Sequence, residues 1–585
     1  MNYLSVLFLL WVILVFSNFL NLRFKIKFNE TFLVSISILI STCFILYQTD
    51  YYFSVFSLQY ALIYFVLISL FILPYLLKNF SKTDLKLNLE FILIFILIFL
   101  LSKDRYYLDQ DEVSYWGMAL KSLAFGEYSF DHHPQGLNVF RYLLKNSRFD
   151  EGLTIFTNNL ILISGFYYLF YDRKLLILEK ILLFSIFFLL LNNLSFGLVS
   201  AYADPVLAIF YGCLLKKLFT FFKDKNIKIE FSIIIVFLTL FLIKRSSIIY
   251  GTYILAIFSG LYLIDRYKNN KGQFFSFTLI FAILLFAIYK VFFPIILENF
   301  DLGLVYNTSP LSYINIINEK FFHFLFTPIY FSNFGVTLNT ILEIFFSPKY
   351  KILEIQIPLV TYIIFLFPFI FFNFKYKSFF FISAILFIFT HMFIILVFKS
   401  YFENLHVSAL PRYIGIILIS KYLFFIYVVT TNYKLVYKNY FLLFLFLCFA
   451  LVTPKKTLGF FVSDKIYYSD SSNRNYKENR IKISKLRNIN DNYQDIFIIH
   501  QEGFSDFTDE YVSGEHTFYQ NIITYELFPK RPIFIELNNF LEMKNNLNFD
   551  KNFLILFDLP IAANDVINVD NNNILKIDTY KKNEN

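Results

Sequence analysis

The chain has 585 residues, 57% hydrophobic and only 16% charged, with a mean hydropathy of +0.58. A soluble domain carries roughly 25% charged residues, so this balance excludes an ordinary soluble enzyme, and the formal charge of +9 is spread through short connections instead of forming a nucleic-acid-binding face. The three cysteines, Cys43, Cys213 and Cys448, lie in apolar stretches without metal-ligand spacing and argue against a disulfide framework.

Apolar runs such as 175–191, 231–243, 274–296, 379–398 and 440–452 approach or reach the length that crosses a bilayer. The hydrocarbon interior offers no water to backbone amides, so these runs must be helices. Hydropathy predicts about 14 spans, at 3–20, 31–49, 53–77, 88–102, 153–171, 175–193, 203–222, 229–243, 247–265, 273–296, 355–373, 378–398, 411–428 and 439–453. The 229–243 segment is short and reads as tilted or partly interfacial. The predicted fold class is an all-α polytopic membrane protein with a small C-terminal extracytoplasmic α/β domain.

Short basic connections set the orientation. Arg23, Lys25 and Lys27 follow the first span, and Lys78, Lys82 and Lys86 the third. Arg173 and Lys174 follow the fifth, Lys216, Lys217, Lys223, Lys225 and Lys228 mark the end of the seventh, and Arg266, Lys268 and Lys271 follow the ninth. Lys375 and Lys377 follow the eleventh, and Lys434 and Lys438 the thirteenth. Alternating spans put all of these on one side, which the positive-inside rule makes cytoplasmic. The N-terminus is then outside, and without a basic n-region the first helix reads as retained. The organisation predicted is 1–102 as N-terminal spans, 103–152 as a first large exterior loop, 153–453 as a transmembrane core interrupted by a second exterior loop at 297–354, and 454–585 as an exterior tail. That tail carries strand-like runs at 495–499 (DIFII), 532–536 (PIFIE) and 553–557 (FLILF). They fit a small α/β domain, with a loosely ordered tail as the alternative.

The first exterior loop carries DQDEVSYWGMALK at 109–121. Its three carboxylates, Asp109, Asp111 and Glu112, repel one another and favour a shared proton or cation. A carboxylate there is placed to take a proton from an acceptor hydroxyl. From Val113 on, Val113, Trp116, Leu120 and Leu123 recur at helical spacing, so Asp111 or Glu112 also fits the start of a helix. Further along the same loop, Asp131, His132 and His133 offer ligands to a divalent cation, although adjacent histidines chelate one ion poorly; substrate contact is the more direct reading.

Three later positions share the exterior side. Asp204 lies at the mouth of the seventh span, where a functional carboxylate and a helix cap ahead of Pro205 are both open readings. Lys244 and Arg245 follow the eighth span outside, against the positive-inside pattern; they either meet an anion or snorkel from a helix end. Arg412 and Tyr413 stand at the entrance of the thirteenth span, with Arg412 suited to bidentate phosphate binding. The spans are otherwise read as nearly free of buried charge, with the ionisable residues gathered at their exterior ends.

The DEVSYWG segment at 111–117 resembles the acidic motif in the first large exterior loop of the GT-C superfamily of glycosyltransferases. It is similar to the Asp-Glu motif of the protein O-mannosyltransferases and of bacterial relatives that modify lipid A or envelope glycans. The order of YADP at 202–205, Lys244 and PRY at 411–413 agrees with that resemblance. The superfamily usually places this loop after its first helix, whereas three further spans precede it here.

The resemblance implies an inverting transfer from a polyprenyl-phosphate-linked sugar to a glycan, glycolipid or protein acceptor, on the periplasmic face of a bacterial inner membrane. Asp111 would be the base and Glu112 its support, while Lys244, Arg245 or Arg412 would hold the phosphate. No cofactor is implied beyond the divalent cation considered above. No nucleotide is required, and the sequence has no Gly-rich phosphate loop. One rival is a polytopic O-antigen-type polymerase or ligase, which would need a late exterior His or Arg and not Asp111. Another is a lipid or polysaccharide transporter or flippase, which would place ionisable residues within its spans.

Overall fold

Runs of apolar residues that must satisfy their own backbone amides fold as helices, and the described part of the chain consists mainly of them. The computed structural model describes residues 2–53, 58–79, 82–103, 116–125, 136–144, 150–171, 175–192, 200–224, 231–244, 410–432 and 435–452, with single positions between these and up to 258, and four short strands beyond 494. The helices are α1 (Asn2–Phe24), α2 (Phe28–Phe53), α3 (Ala61–Asn79), α4 (Lys82–Ser102), α5 (Met118–Phe125), α6 (Gly136–Tyr142), α7 (Glu151–Phe170), α8 (Ile177–Asn192), α9 (Ala203–Asp224), α10 (Phe231–Phe241), α11 (Leu410–Asn432) and α12 (Leu435–Val452). Six of them are long and apolar enough to cross a membrane, within α1, α2, α3 with the turn before it, α4, α7 and α11. That is compatible with an integral membrane protein. Predicted spans 273–296, 355–373 and 378–398, most of 247–265, and the loop at 297–354 lie outside the described residues.

The chain divides into two compact units, Met1–Arg105 with Ser129–Pro454, and Tyr106–Tyr128 with Lys455–Asn585. In the first unit, α7 is buried along its whole length and forms the centre. Around it α2, α4 and α9 close the core, and α3 and the outer faces of α4, α8 and α12 remain apolar and uncovered, as at Phe71, Leu93, Ile177 and Phe444. Lipid is as apolar as leucine, so helix pairing rests on close packing and polar contacts. The pairing bonds include Trp11 Nε1 to Ser69 Oγ at 2.8 Å, Ser17 with Ser35 at 3.0 Å and Ser41 with Thr239 at 3.1 Å. Asn18 and Asn88 exchange amide hydrogen bonds at 3.3 Å between α1 and α4. Local signals set the helix ends: Asp150 accepts from Leu153 N at 3.3 Å to start α7, and Lys25, at φ 55°, turns the chain from α1 into α2.

Contacts sort the helix ends into two groups. At one end, Asn29 of α2 donates to the carbonyls of Tyr167, in the last turn of α7, and Tyr171, just beyond it, and Tyr171 Oη donates to Glu90 of α4 at 2.8 Å. Lys180 of α8 approaches the same carboxylate at 3.5 Å, Phe24 of α1 stacks on Phe231 of α10, and Glu30 of α2 meets Lys217 of α9 at 2.5 Å. This is the end of the short basic connections. At the other end, α4 abuts the start of α7, where a Cβ on Gly152 would strike the carbonyls of Ser102 and Lys103. The first turns of α9 and α11 and the last turn of α10 gather there too.

In the second unit the strands β1 (Asp495–His500), β2 (Ile533–Glu536), β3 (Phe553–Asp558) and β4 (Ile574–Lys576) form a parallel sheet in the order β2-β1-β3-β4. Parallel neighbours require long crossovers, and the intervening stretches 501–532, 537–552 and 559–573 lie outside the described residues. At the carboxyl end of β1 the register sets His500 beside Glu536 on one side and Asp558 on the other. The run ILK at 574–576 adds a strand to the three that the apolar pattern predicts. Helix α5 of this unit continues from a helical turn at Trp116, and Val113, where the apolar spacing starts the predicted helix, lies outside the described residues.

Candidate functional site

Asp204 stands in the first turn of α9, one residue inside the helix, and is completely buried. Lys244 follows α10 after a tight turn in which Leu242 N donates to Thr239 O at 2.9 Å and Ile243 N to Leu240 O at 3.3 Å. Its ammonium reaches Asp204 Oδ1 at 2.6 Å and lies 5.5 Å from the centroid of the Tyr413 ring in the first turn of α11. Three helix ends therefore meet around one cation. Such a charge is tolerated away from water because a carboxylate neutralises it and a ring face supplements that attraction. At 6% exposure Lys244 does not snorkel from a helix end, and the Asp204 oxygen is engaged by it.

The surrounding packing fixes the geometry. Tyr250 Oη donates to Tyr413 O at 3.2 Å, and its ring meets Tyr211 of α9 edge to face. Ser420 Oγ, farther down α11, donates to Ala208 O at 3.0 Å, so α9 and α11 run side by side in the same direction. Phe219 and Phe424 continue that contact toward the basic end.

Next to this site lies a buried polar group that no motif in the sequence marks. Arg141 of α6 is buried and donates to Asn138 Oδ1 at 3.1 Å, to Asn158 Oδ1 at 2.9 Å and to the carbonyl of Ala201. Asn158 of α7 in turn donates to Ser200 O at 3.1 Å and Tyr202 O at 2.8 Å. The signal for Asn158 was present as a polar pair, Asn158–Asn159, inside an apolar span; such residues usually glue helices together. Arg141 was legible only as an isolated guanidinium in the apolar stretch LNVFRYLL.

Of the predicted site residues, the structure brings together Asp204, Lys244 and Tyr413. Arg412 has its backbone in the first turn of α11, but its side chain lies outside the described residues, as do Asp109, Asp111, Glu112, His132, His133 and Arg245 altogether. Among the described residues no group of His, Cys, Asp and Glu is arranged to hold a metal ion.

The expectation that the spans are nearly free of buried charge needs correction. Glu30, Lys216 and Lys217 are buried at the basic end, with Lys217 2.5 Å and Lys216 3.9 Å from the Glu30 carboxylate. Lys216 also donates to Tyr168 O and lies over the rings of Tyr168 and Tyr427. Lys421 is buried midway along α11. Ion pairing and aromatic faces let Glu30, Lys216 and Lys217 stay inside, which hydropathy averaged over a window does not register.

No family model matches the chain, and neither a curated protein nor a solved structure matches it.

Proposed function

We propose that this chain is a membrane glycosyltransferase that moves a sugar from a polyprenyl-phosphate donor to an acceptor hydroxyl. The observation that carries the reading is the Lys244 ammonium, held against Asp204 and the Tyr413 ring at the end of the bundle opposite the basic connections. The chain leaves α4 at Ser102 and enters α7 at Glu151 at that same end. By the positive-inside rule this end faces away from the cytoplasm, in a bacterial envelope the periplasm. The full architecture of the proposal is about 14 spans with the parallel-stranded tail as an exterior α/β domain.

In the proposed reaction the donor enters sideways from lipid and its phosphate displaces Asp204 from Lys244, with Arg245 and Arg412 as further cations. Asp111 takes the proton of the acceptor hydroxyl, whose oxygen attacks the anomeric carbon from the face opposite the phosphate. The bond between that carbon and the phosphate oxygen breaks, and polyprenyl phosphate leaves with its charge compensated by the cations. Glu112 supports Asp111, while Asp109, His132, His133 and Tyr413 contact substrate.

The test is a transfer assay with purified protein and a panel of polyprenyl-phosphate sugars. Asp111→Asn should lower the rate by about 10²–10⁴-fold. Lys244→Met should weaken use of the donor while leaving Asp111-dependent proton removal in place. Equal rates for wild type and Asp111→Asn would reject the assigned base. Lys421, buried midway along α11, favours transport as the second reading. Lipid flux that depends on Lys421 and not on Asp111 would select it.

A further inference from the structure

Two backbone segments must be held at a fixed separation for Asp204 to reach Lys244, and one short helix touches both. At its start, Gly136 of α6 lies so close to the turn before Lys244 that a Cβ there would stand 2.6 Å from Leu242 Cβ and 2.7 Å from Leu242 O. At its end, Arg141 donates to the carbonyl of Ala201, three residues before Asp204. Asn158 of α7 closes the arrangement by accepting from Arg141 and donating to the carbonyls on either side of Ala201, those of Ser200 and Tyr202. Tyr202 N donates to Ser200 Oγ at 2.9 Å, which tightens the same turn. Arg141, Asn138, Asn158 and the turn from Ser200 to Asp204 are all buried. Three consecutive carbonyls are thus fixed by two side chains from two other helices. A charge-assisted bond from a planar guanidinium is more directional than one from an ammonium.

We propose that Arg141 and Asn158 are positioning residues, which hold the Ser200–Tyr202 turn so that the Asp204 carboxylate sits on Lys244. Their part in an enzyme rests on the function proposed above; the clamp itself does not. Without it, the first turn of α9 relaxes and the carboxylate moves off the ammonium. Lys244 then opens more often to reagents.

The experiment follows acylation of individual lysines by a membrane-permeant amine-reactive ester, using full-length protein and mass spectrometry. Lys216 and Lys217, at the opposite end of the bundle, serve as references. Asp204→Asn should raise Lys244 acylation about tenfold, the scale set by losing a charge-assisted bond that limits local opening. Arg141→Met and Asn158→Ala should each reproduce most of that rise, with Lys216 and Lys217 unchanged. Arg141→Lys should return Lys244 part of the way to the wild-type rate, and Arg141→Met added to Asp204→Asn should add nothing.

Unchanged Lys244 reactivity in both Arg141→Met and Asn158→Ala would overturn the proposal. So would an equal rise at Lys216 and Lys217, since the two residues would then be holding the bundle and not the turn. No sugar donor enters this measurement. Absence of transfer activity in every assay would sink the enzyme reading and leave the clamp standing.

Discussion

Replacing Asp204 by Asn removes the charge that neutralises Lys244 but keeps the shape of the side chain. At 2.6 Å and an effective dielectric of about 20, the pair attracts by about 6 kcal/mol before desolvation is counted. Desolvation offsets part of this, and breaking such a buried pair costs about 3–5 kcal/mol. The Tyr413 ring, 5.5 Å from the ammonium, still contributes about 0.5–2 kcal/mol in the variant, so the expected loss is near the lower bound of that range.

A lipid phosphate changes the comparison. In wild type it must displace Asp204; in Asp204→Asn it supplies the missing charge. Polyprenyl phosphate at about 100 times its dissociation constant stabilises any specific binder by about 2.7 kcal/mol. At equal concentration it should therefore raise the melting temperature of Asp204→Asn more than that of wild type. Thermal unfolding of both proteins in detergent, with and without polyprenyl phosphate, measures this. If Asp204→Asn melts at the wild-type temperature, the pair contributes nothing. Equal stabilisation of the two proteins would mean that the phosphate does not meet Lys244.

At the opposite end, Glu30→Gln leaves Lys216 and Lys217 buried without their carboxylate and should destabilise by about 3–5 kcal/mol in the same melting assay. The double variant Glu30→Gln with Lys217→Met should recover part of that loss. Gly152→Ala places a methyl against the carbonyls of Ser102 and Lys103 and should cost about 1–3 kcal/mol. Gly212→Ala, whose nearest neighbour would be Ser420 O at an ordinary 3.5 Å, should melt close to wild type. With the native cysteines removed, Lys78→Cys and Arg105→Cys should react with an impermeant thiol reagent from opposite sides of the membrane, Arg105→Cys from outside. Labelling of both from the same side would break the assignment of helix ends.

Chain composition alone determined that the described core is helical, and about where its helices lie. A run of apolar residues in lipid can satisfy its amides only within itself, so length and hydropathy fix the element. The basic connections likewise fall at one end of the bundle, where Phe24, beside Arg23 and Lys25, stacks on Phe231 and where Lys216 and Lys217 meet Glu30. That Asp204, Lys244 and Tyr413 lie at one end of the bundle followed from counting spans. Their meeting did not, because nothing in a row of similar apolar helices says which one packs beside which.

Only the tertiary structure set α11 parallel to α9, brought α10 to the same corner, and laid α6 against both segments that carry the ion pair. Arg141 shows why. Its sequence neighbours are ordinary apolar residues, and its meaning lies in a carbonyl 60 positions away. A buried guanidinium or ammonium is stable only with its partners in place. Folding makes those partners neighbours, and the linear order does not.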